Sequence, residues 1–269
     1  SKMIILIPMG GKGSRFSDAG YKTNKACIET TDRHSGNKLP MILCAMRDIP
    51  GINNKKNKII CVDRKFHEEN GTEQIILDKY PNTLFIHDHV MLDQAFGCFL
   101  AREFLDSEDE LFIGACDNGM DIDLDGFEQL KKSSDAIMIS HTNDQNILEN
   151  PEAHSWALLD EVSSKLTQIS IKETVSSTPM HDHATTGMFW FKHASTFLRY
   201  LEEMIWNQDT LDGKYYVDKI LQYYIEDNKT VNYFDIKFVC WGTPLDYENY
   251  ENTAAYWKEF YEAESWTKE

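Results

Sequence analysis

With 269 residues, the chain is long enough for one large α/β domain or two small ones, and its 42% apolar content can fill a substantial core. A net charge of −17 argues against nucleic acid or an anionic membrane as partner, since both need a basic surface, yet leaves room for a nucleotide held by a few local cations. The six cysteines form no Cys-x-x-Cys pair and no apolar run reaches about 18 residues, so the expectation is reduced thiols in a cytoplasmic protein without zinc site, disulfide framework, membrane span or signal peptide.

The chain starts with Ile4-Ile5-Leu6-Ile7-Pro8, an apolar β-branched run that reads as a buried parallel strand. Met9-Gly10-Gly11-Lys12-Gly13-Ser14-Arg15 follows at once. Glycines let backbone N–H groups approach a phosphate, and Arg15 adds a fork of donors suited to phosphate oxygens. Lys25 brings a second cation, so the stretch reads as a triphosphate cradle. It fits neither the Gly-x-Gly-x-x-Gly dinucleotide pattern nor a P-loop. Beyond it, Pro40 to Arg47 reads as a short helix, Lys58 to Val62 as a strand and Phe66 to Tyr80 as a helix stopped by Pro81. Thr83 to Ile86 is a strand, and Asp93 to Leu105 an amphipathic helix with Phe96, Phe99, Leu100 and Phe104 on one face. Glu110 to Ala115 is a strand running into Cys116-Asp117. This alternation marks a Rossmann-like, doubly wound α/β fold with a mostly parallel sheet flanked by helices.

After residue 133 the pattern changes. Ala136 to Ser140, Ser155 to Leu159, Leu166 to Ile171 and Ala184 to Phe191 read as strands without long helices between them. Helices at Ala194 to Trp206 and Tyr215 to Ile225, a strand at Val231 to Asp235 and a last helix near Leu245 to Tyr261 complete the chain. The stripe Tyr247, Tyr250, Ala254, Trp257 and Tyr261 reads as core packing. With no linker in sight, residues 3–133 and 134–269 are expected to be two halves of one domain on one sheet.

Among residues that could carry chemistry, Asp117 ends a buried strand, as the glycine loop does, and ligands of open α/β sheets bind beyond such strand ends. A carboxylate facing a triphosphate calls for a cation between them, and Mg²⁺ takes one or two carboxylates plus phosphate oxygens. Asp121-x-Asp123 has the form glycosyltransferases use to hold a metal, but reads more simply as a solvated acidic turn before a helix. His87 and His89 could bind a metal, but no third ligand at zinc spacing is visible; a loop lining the base pocket, or plain surface, is the simpler reading.

The opening stretch resembles the Gly-Gly-x-Gly-Thr/Ser-Arg signature of the sugar nucleotidylyltransferases, or NDP-sugar pyrophosphorylases, above all their capsule-associated branch, with Lys25 at the signature lysine. Asn24 and Ala26 stand where the family has prolines. Cys116-Asp117-Asn118, Leu92-Asp93-Gln94-Ala95-Phe96, Ala184 to Lys192, Gly213 to Val217 and Gly242-Thr243-Pro244-Leu245-Asp246 resemble further elements of that branch, so the resemblance spans most of residues 3–250. It implies a GT-A-like nucleotidyltransferase fold. It implies catalytic roles for Arg15, Lys25 and Asp117, and nucleotide contacts from Met9, Gly10, Gly11, Gly13, Ser14 and, for the base, Gln94. Acceptor contacts are implied for Lys172, Thr186 and Gly187. Ile171 replaces a glutamate usual before that lysine, and Cys240 occupies the place of a second metal-binding aspartate, with Asp235 as the candidate substitute.

The expected function is transfer of NMP from an NTP to a sugar phosphate or small phosphorylated alcohol, with Mg²⁺ as cofactor and pyrophosphate released. Surface-polysaccharide assembly is what the resemblance implies for its use; base, acceptor and a homo-oligomer are left open. The rivals are a GT-A type glycosyltransferase using Asp121 and Asp123, and a non-catalytic nucleotide-binding module.

Overall fold

The computed structural model describes residues 2–11, 13–90, 93–142, 155–160, 165–176 and 182–266, with side chains of the last helix described through residue 256. The first part of the chain forms β1 (Met3–Pro8), α1 (Ser14–Asp18), a 3₁₀ turn at Lys25–Cys27, β2 (Glu29–Thr31), β3 (Lys38–Pro40), α2 (Met41–Arg47), β4 (Lys58–Asp63), α3 (Lys65–Glu69), α4 (Thr72–Lys79) and β5 (Leu84–His87). Next come α5 (Gln94–Leu100), α6 (Arg102–Leu105), β6 (Glu110–Ile113), β7 (Asn118–Asp121), α7 (Leu124–Lys131) and β8 (Ala136–His141). The rest forms β9 (Ser155–Leu159), β10 (Leu166–Ile171), β11 (Ala184–Phe191), α8 (Ala194–Trp206), α9 (Val217–Glu226), β12 (Val231–Asp235), β13 (Lys237–Cys240) and α10 (Pro244–Trp266).

Strands from both halves share one nine-stranded sheet. Its parallel part runs β5-β4-β1-β6. β11 joins antiparallel to β6 and carries the sheet into a mixed part: β8 lies antiparallel to β11, β12 parallel to β8, and the β9–β10 pair attaches at the start of β11. The β-branched runs are apolar throughout because both faces are covered. In β1, Ile4 and Leu6 enter one core cluster while Met3, Ile5 and Ile7 enter the other; β4 does the same with Ile60 and Val62 against Ile59 and Cys61. The period of two thus feeds two cores from one strand.

A third, smaller core lies under the glycine loop, where Phe16, Ile28, Met41, Cys44, Ala45 and Trp241 pack together. Phe16 is 1% exposed, so its burial anchors the far end of the loop. Tyr247 and Tyr250 pack against this cluster, as the stripe on the last helix predicts; the side chains of Trp257 and Tyr261 lie outside the described residues.

Several expectations need correction. The helix expected over 66–80 is two, α3 and α4, because Asn70-Gly71 interrupts it and Gly71 has φ 89°. The helix over 93–105 is likewise split, at Ala101. Its deepest face is Ala95, Cys98, Ala101 and Leu105, whereas the expected face of Phe96, Phe99, Leu100 and Phe104 is only partly buried. Two small ribbons, β2–β3 and β7–β13, have no counterpart in the sequence reading.

Candidate active site

The loop after β1, Asp63 at the end of β4, His87 at the end of β5 and Asp117 beyond β6 all leave the sheet at the carboxyl ends of parallel strands, where open α/β sheets bind ligands. A cleft of about 540 Å³ opens there, lined among others by Gly10, Gly11, Ser14, Asp88, Gln94 and Lys214. Its size suits a nucleotide or similar small molecule.

Lys25 and Asp117 meet directly. The lysine Nζ donates to Asp117 Oδ2 at 2.8 Å and to the Gly242 carbonyl at 3.1 Å. Burial works against the lysine's charge, but Asp117 and then Cys116 outweigh it, so its pKa lies above the ordinary value; Arg15 opposes this from nearby. The Phe16 ring sits 5.3 Å from Nζ and adds cation–π attraction. Asn24 stands where the resembled family has proline, and its side chain caps the 3₁₀ turn by accepting from the Ala26 N–H at 2.9 Å. That N–H exists only because residue 26 is not proline, so a capping bond fixes the turn that prolines would otherwise stiffen.

Gly13 is needed twice over. Its φ is 67°, and a Cβ would meet the Lys25 Cβ at 3.1 Å. Gly10 is pressed against Asp88, whose Oδ2 would lie 2.9 Å from an added Cβ. Met9 differs from the rest of the loop: its side chain is 5% exposed in the core, and its N–H donates to the Val62 carbonyl at 2.8 Å. Ser14 and Arg15 open α1 on its exposed side, and Arg15 forms no ion pair among the described residues. Lys12, Met91, Leu92 and His181 lie outside the described residues.

The β7–β13 ribbon explains how the segment around Gly242 reaches the site. Cys240 pairs with Asn118, and the Trp241 N–H donates to the Asp117 carbonyl at 2.9 Å. A Cβ on Gly242 would lie 3.4 Å from the Cys240 Sγ and 3.6 Å from Asp117 Oδ2, so thiol and carboxylate are neighbours. Burial, with Asp246 and Asp117 beside it, pushes the Cys240 thiol up to about 12. A neutral, soft thiol is a poor ligand for a hard cation. Asp235, at the end of β12, accepts from Ser140 Oγ at 2.7 Å and meets His183 Nδ1 at 2.9 Å. Of the two positions weighed for the metal, Asp117 and Asp235, only Asp117 is placed beside Lys25, and it fits a hard divalent cation only if phosphate oxygens and water complete the set.

Gln94 and Gly187 touch: Gln94 Nε2 donates to the Gly187 carbonyl at 3.0 Å. Gly187 has φ 85° at an irregularity in β11, and nothing lies within 4 Å of where its Cβ would be, so it presents bare backbone to open space. Thr186 beside it donates from its hydroxyl to the Ile139 carbonyl at 2.8 Å. Lys172 follows β10 in a left-handed conformation, φ 63°, with Nζ 5.7 Å from the centre of the Tyr216 ring.

Lys214 escaped the sequence reading as an individual residue. It closes a tight turn in which Leu211 and Lys214 exchange backbone bonds of 2.9 and 3.0 Å around Asp212-Gly213, both with positive φ. Asp93 caps α5 through the Phe96 N–H at 2.8 Å and also accepts from the Tyr215 N–H at 2.9 Å, which ties this turn to the cleft. The Asp-Gly dipeptide was the available signal.

The Asp-x-Asp carboxylates are engaged in structural bonds. Asp121 is held by Arg33 Nη2 at 3.0 Å, and Asp123 caps α7 by accepting from the Gly126 N–H at 3.1 Å. Instead, Asp63, Glu73 and His87 bring their ligand atoms within 4.8 Å of one another, a group able to hold a cation.

By sequence, the chain matches no family model and no curated protein. Solved structures do match. A nucleoside-diphosphate-sugar pyrophosphorylase from Vibrio cholerae superposes with a TM-score of 0.72 at 18% identity, over 91% of this chain and 98% of its own. A putative glucose-1-phosphate thymidylyltransferase from Bacillus anthracis gives 0.71 at 18% identity over 94% and 95%, and the inositol-1-phosphate CTP transferase of T. maritima 0.65 at 16% over 92% and 93%. The chain therefore has the mixed, mostly parallel α/β fold of these nucleotidyltransferases over nearly its whole length. Among the described residues no helix is long and apolar enough to cross a membrane.

Proposed function

We propose that the chain is a nucleotidylyltransferase that transfers NMP from an NTP to a sugar phosphate or a small phosphorylated alcohol. The observation that carries the reading is the Lys25–Asp117 pair, with Lys25 against Gly13 of the loop whose Gly10 and Gly11 line the cleft. Each partner neutralises the other in the free chain. A nucleotide with its cation can replace that one bond by two: Lys25 to a phosphate oxygen, Asp117 to the cation. Asp117 would hold this cation, Mg²⁺ in our reading, which when bound supplies positive charge between carboxylate and phosphates.

In the reaction an acceptor phosphate oxygen bonds to the α-phosphorus in line, the bond from that phosphorus to its bridging oxygen breaks, and pyrophosphate leaves with the electron pair. The acceptor oxygen is already anionic, so no general base is needed, and the chain contributes positioning and charge. Arg15 and Lys25 offset the charge that grows on the leaving group. Gly10, Gly11, Gly13 and Ser14 border the phosphates, while Met9 supports them from the core. Gln94 reads the base, and Lys172, with Thr186 and Gly187, receives the acceptor. Residues 3–133 then form the nucleotide half and 134–269 the acceptor half of one domain.

The named activities of the structural neighbours, on glucose 1-phosphate and on inositol 1-phosphate, support an acceptor of either class. The engagement of Asp121 and Asp123 in structural bonds counts against a glycosyltransferase. The test is a thermal-shift screen of CTP, UTP, GTP, dTTP and ATP with Mg²⁺, followed by pyrophosphate release from the stabilising nucleotide and a panel of sugar and polyol phosphates. One nucleotide should stabilise the chain and release pyrophosphate only with a phosphorylated acceptor. Binding without turnover across the panel would instead mark a nucleotide-binding module.

A further inference from the structure

The cluster at the ends of β4 and β5 takes no part in this chemistry. Asp63 and His87 are register partners on adjacent parallel strands, which puts their side chains on one face of the sheet. Glu73, in the first turn of α4, closes the group from above: its Oε2 is 2.9 Å from His87 Nε2, and Asp63 Oδ1 is 3.7 Å from the same nitrogen. Glu68 on α3 places Oε2 a further 3.7 Å from that nitrogen.

Asp63 is the informative member. It is fully buried, and neither of its carboxylate oxygens meets a hydrogen-bond donor. A buried carboxyl without a donor costs roughly 1–3 kcal/mol or more. The neighbouring cation, Arg64, offers no relief, because its guanidinium lies over the Phe66 ring at 5.3 Å. Beside Glu73, that leaves either a proton shared between the two carboxyls or a bound cation to face Asp63.

We propose that Asp63, Glu73 and His87 form a binding site for a borderline divalent transition cation such as Zn²⁺ or Mn²⁺, separate from the cation that Asp117 would share with a nucleotide. The distances suit it. Ligands about 2.0–2.2 Å from a tetrahedral ion lie about 3.3–3.6 Å apart, so the observed 2.9 and 3.7 Å need only small adjustments. One imidazole with two carboxylates favours Zn²⁺ or Mn²⁺ over Mg²⁺, which prefers oxygen and retains its waters. Glu68, 59% exposed, or a water supplies the fourth position, and it also marks the open side by which an ion enters. The site is coupled to the cleft through backbone: the Asp88 N–H donates to the Asp63 carbonyl at 2.6 Å, and Asp88 is the residue pressed against Gly10. A cation there would clamp β4 to β5 and steady one wall of the phosphate loop.

Calorimetric titration of the EDTA-stripped chain with Zn²⁺ alone, without nucleotide, tests this. One Zn²⁺ per chain should bind and raise the melting temperature, and Co²⁺ should give a d–d absorption band. Asp117→Asn should bind Zn²⁺ as the parent does. His87→Gln should weaken binding by at least the roughly 10–100-fold that loss of even an outer-sphere partner costs, and should lose the Co²⁺ band. Should His87→Gln fail to fold, Glu73→Gln, on the partly exposed side of the group, is to show the same loss. No stoichiometric binding, which would leave a shared proton in the ion's place, overturns the proposal. So does binding that survives both ligand substitutions or is abolished by Asp117→Asn.

Discussion

Asp32 and Asp63 are equally hidden, at 3% and 0% exposure, and are served in opposite ways. Asp32 sits in the β2–β3 turn. It accepts from the Ser35 hydroxyl at 2.6 Å, from the Ser35 and His34 N–H groups at 3.2 Å each, and pairs with Arg47. Burial alone would raise its pKa, but these donors outweigh it and hold the carboxyl below the ordinary range. Asp63 has no such donors; burial first, then Glu73, pushes it up to about 9. This fold can surround a buried carboxylate with donors where one is structural, which makes the bare Asp63 stand out as prepared for a ligand. Asp117 is the intermediate case, one third exposed with a single cation beside it, and such a pair can exchange partners.

Substituting along this series separates the three roles, and the largest effect belongs to Asp117. Asp117→Asn should lower turnover by about 10³-fold or more while the melting temperature moves little, because the pair is partly exposed. Steady-state pyrophosphate release and a thermal melt on one preparation decide it; full activity would remove Asp117 from the cation. Lys25→Ala follows, with an expected loss of about 10²–10³-fold in kcat, or roughly 3–4 kcal/mol. Its signature is kinetic, since pyrophosphate gains charge in the transition state. Gly13→Val reaches the same lysine from the other side, combining a strained φ of 67° with a contact on the Lys25 Cβ. It should abolish NTP binding by calorimetry; unchanged affinity would reduce the loop to a turn.

Asp32→Ala should do the reverse: activity per folded molecule retained, stability lost. Removing a carboxylate that serves four donors leaves them unsatisfied at about 2–3 kcal/mol, moderated because Arg47 is 35% exposed and can rehydrate. For a domain of this size that is roughly 4–12 °C in Tm.

How much of this was readable beforehand depends on whether a feature is local. The β1 run and its glycines are contiguous, so strand, turn and cleft edge follow from a dozen residues. The strands β9, β10, β11 and β12 fall where alternation places them. The break at Asn70-Gly71 shows as a turn dipeptide, but the apolar pattern on either side reads as one continuous helix. Ala101 gives no such signal, since nothing about an alanine announces the end of α5. The ribbons β2–β3 and β7–β13 have strands of three or four residues, too short for a period of two to show. The Asp63–Glu73–His87 group was beyond reach for a different reason. Its spacings match no metal motif, because parallel pairing and a helix turn, not sequence proximity, bring it together. Spacing pairs His87 with His89, while its actual partners lie on β4 and α4.

Lys172 and Lys214 offer a smaller contrast, one cation over the Tyr216 ring and one lining the cleft. Lys172→Ala should raise the acceptor KM about tenfold, the worth of one charge-assisted hydrogen bond, with kcat little changed, because the acceptor phosphate is anionic before and during reaction. Lys214 lines the cleft with Gly10 and Gly11, so Lys214→Ala should raise the KM for NTP instead. Equal effects of both substitutions on both substrates would erase the separation between nucleotide and acceptor contacts.

The smallest effect is the acid limb of stability, and it isolates what charge contributes at Asp32. The folded pKa lies below the ordinary value, so the contribution is complete above the unfolded carboxylate's value of about 3.9 and is lost as pH falls through the lower folded value. Asp32→Asn retains the shape of the side chain but cannot titrate. Urea melts of parent and variant at about pH 7 and about pH 3 should therefore show a gap in unfolding free energy that narrows on acidification, by an amount set by the depression of that one group. A gap of constant size would mean that Asp32 is kept for its fit among Ser35, His34 and Arg47, and that the contrast with Asp63 is one of geometry alone.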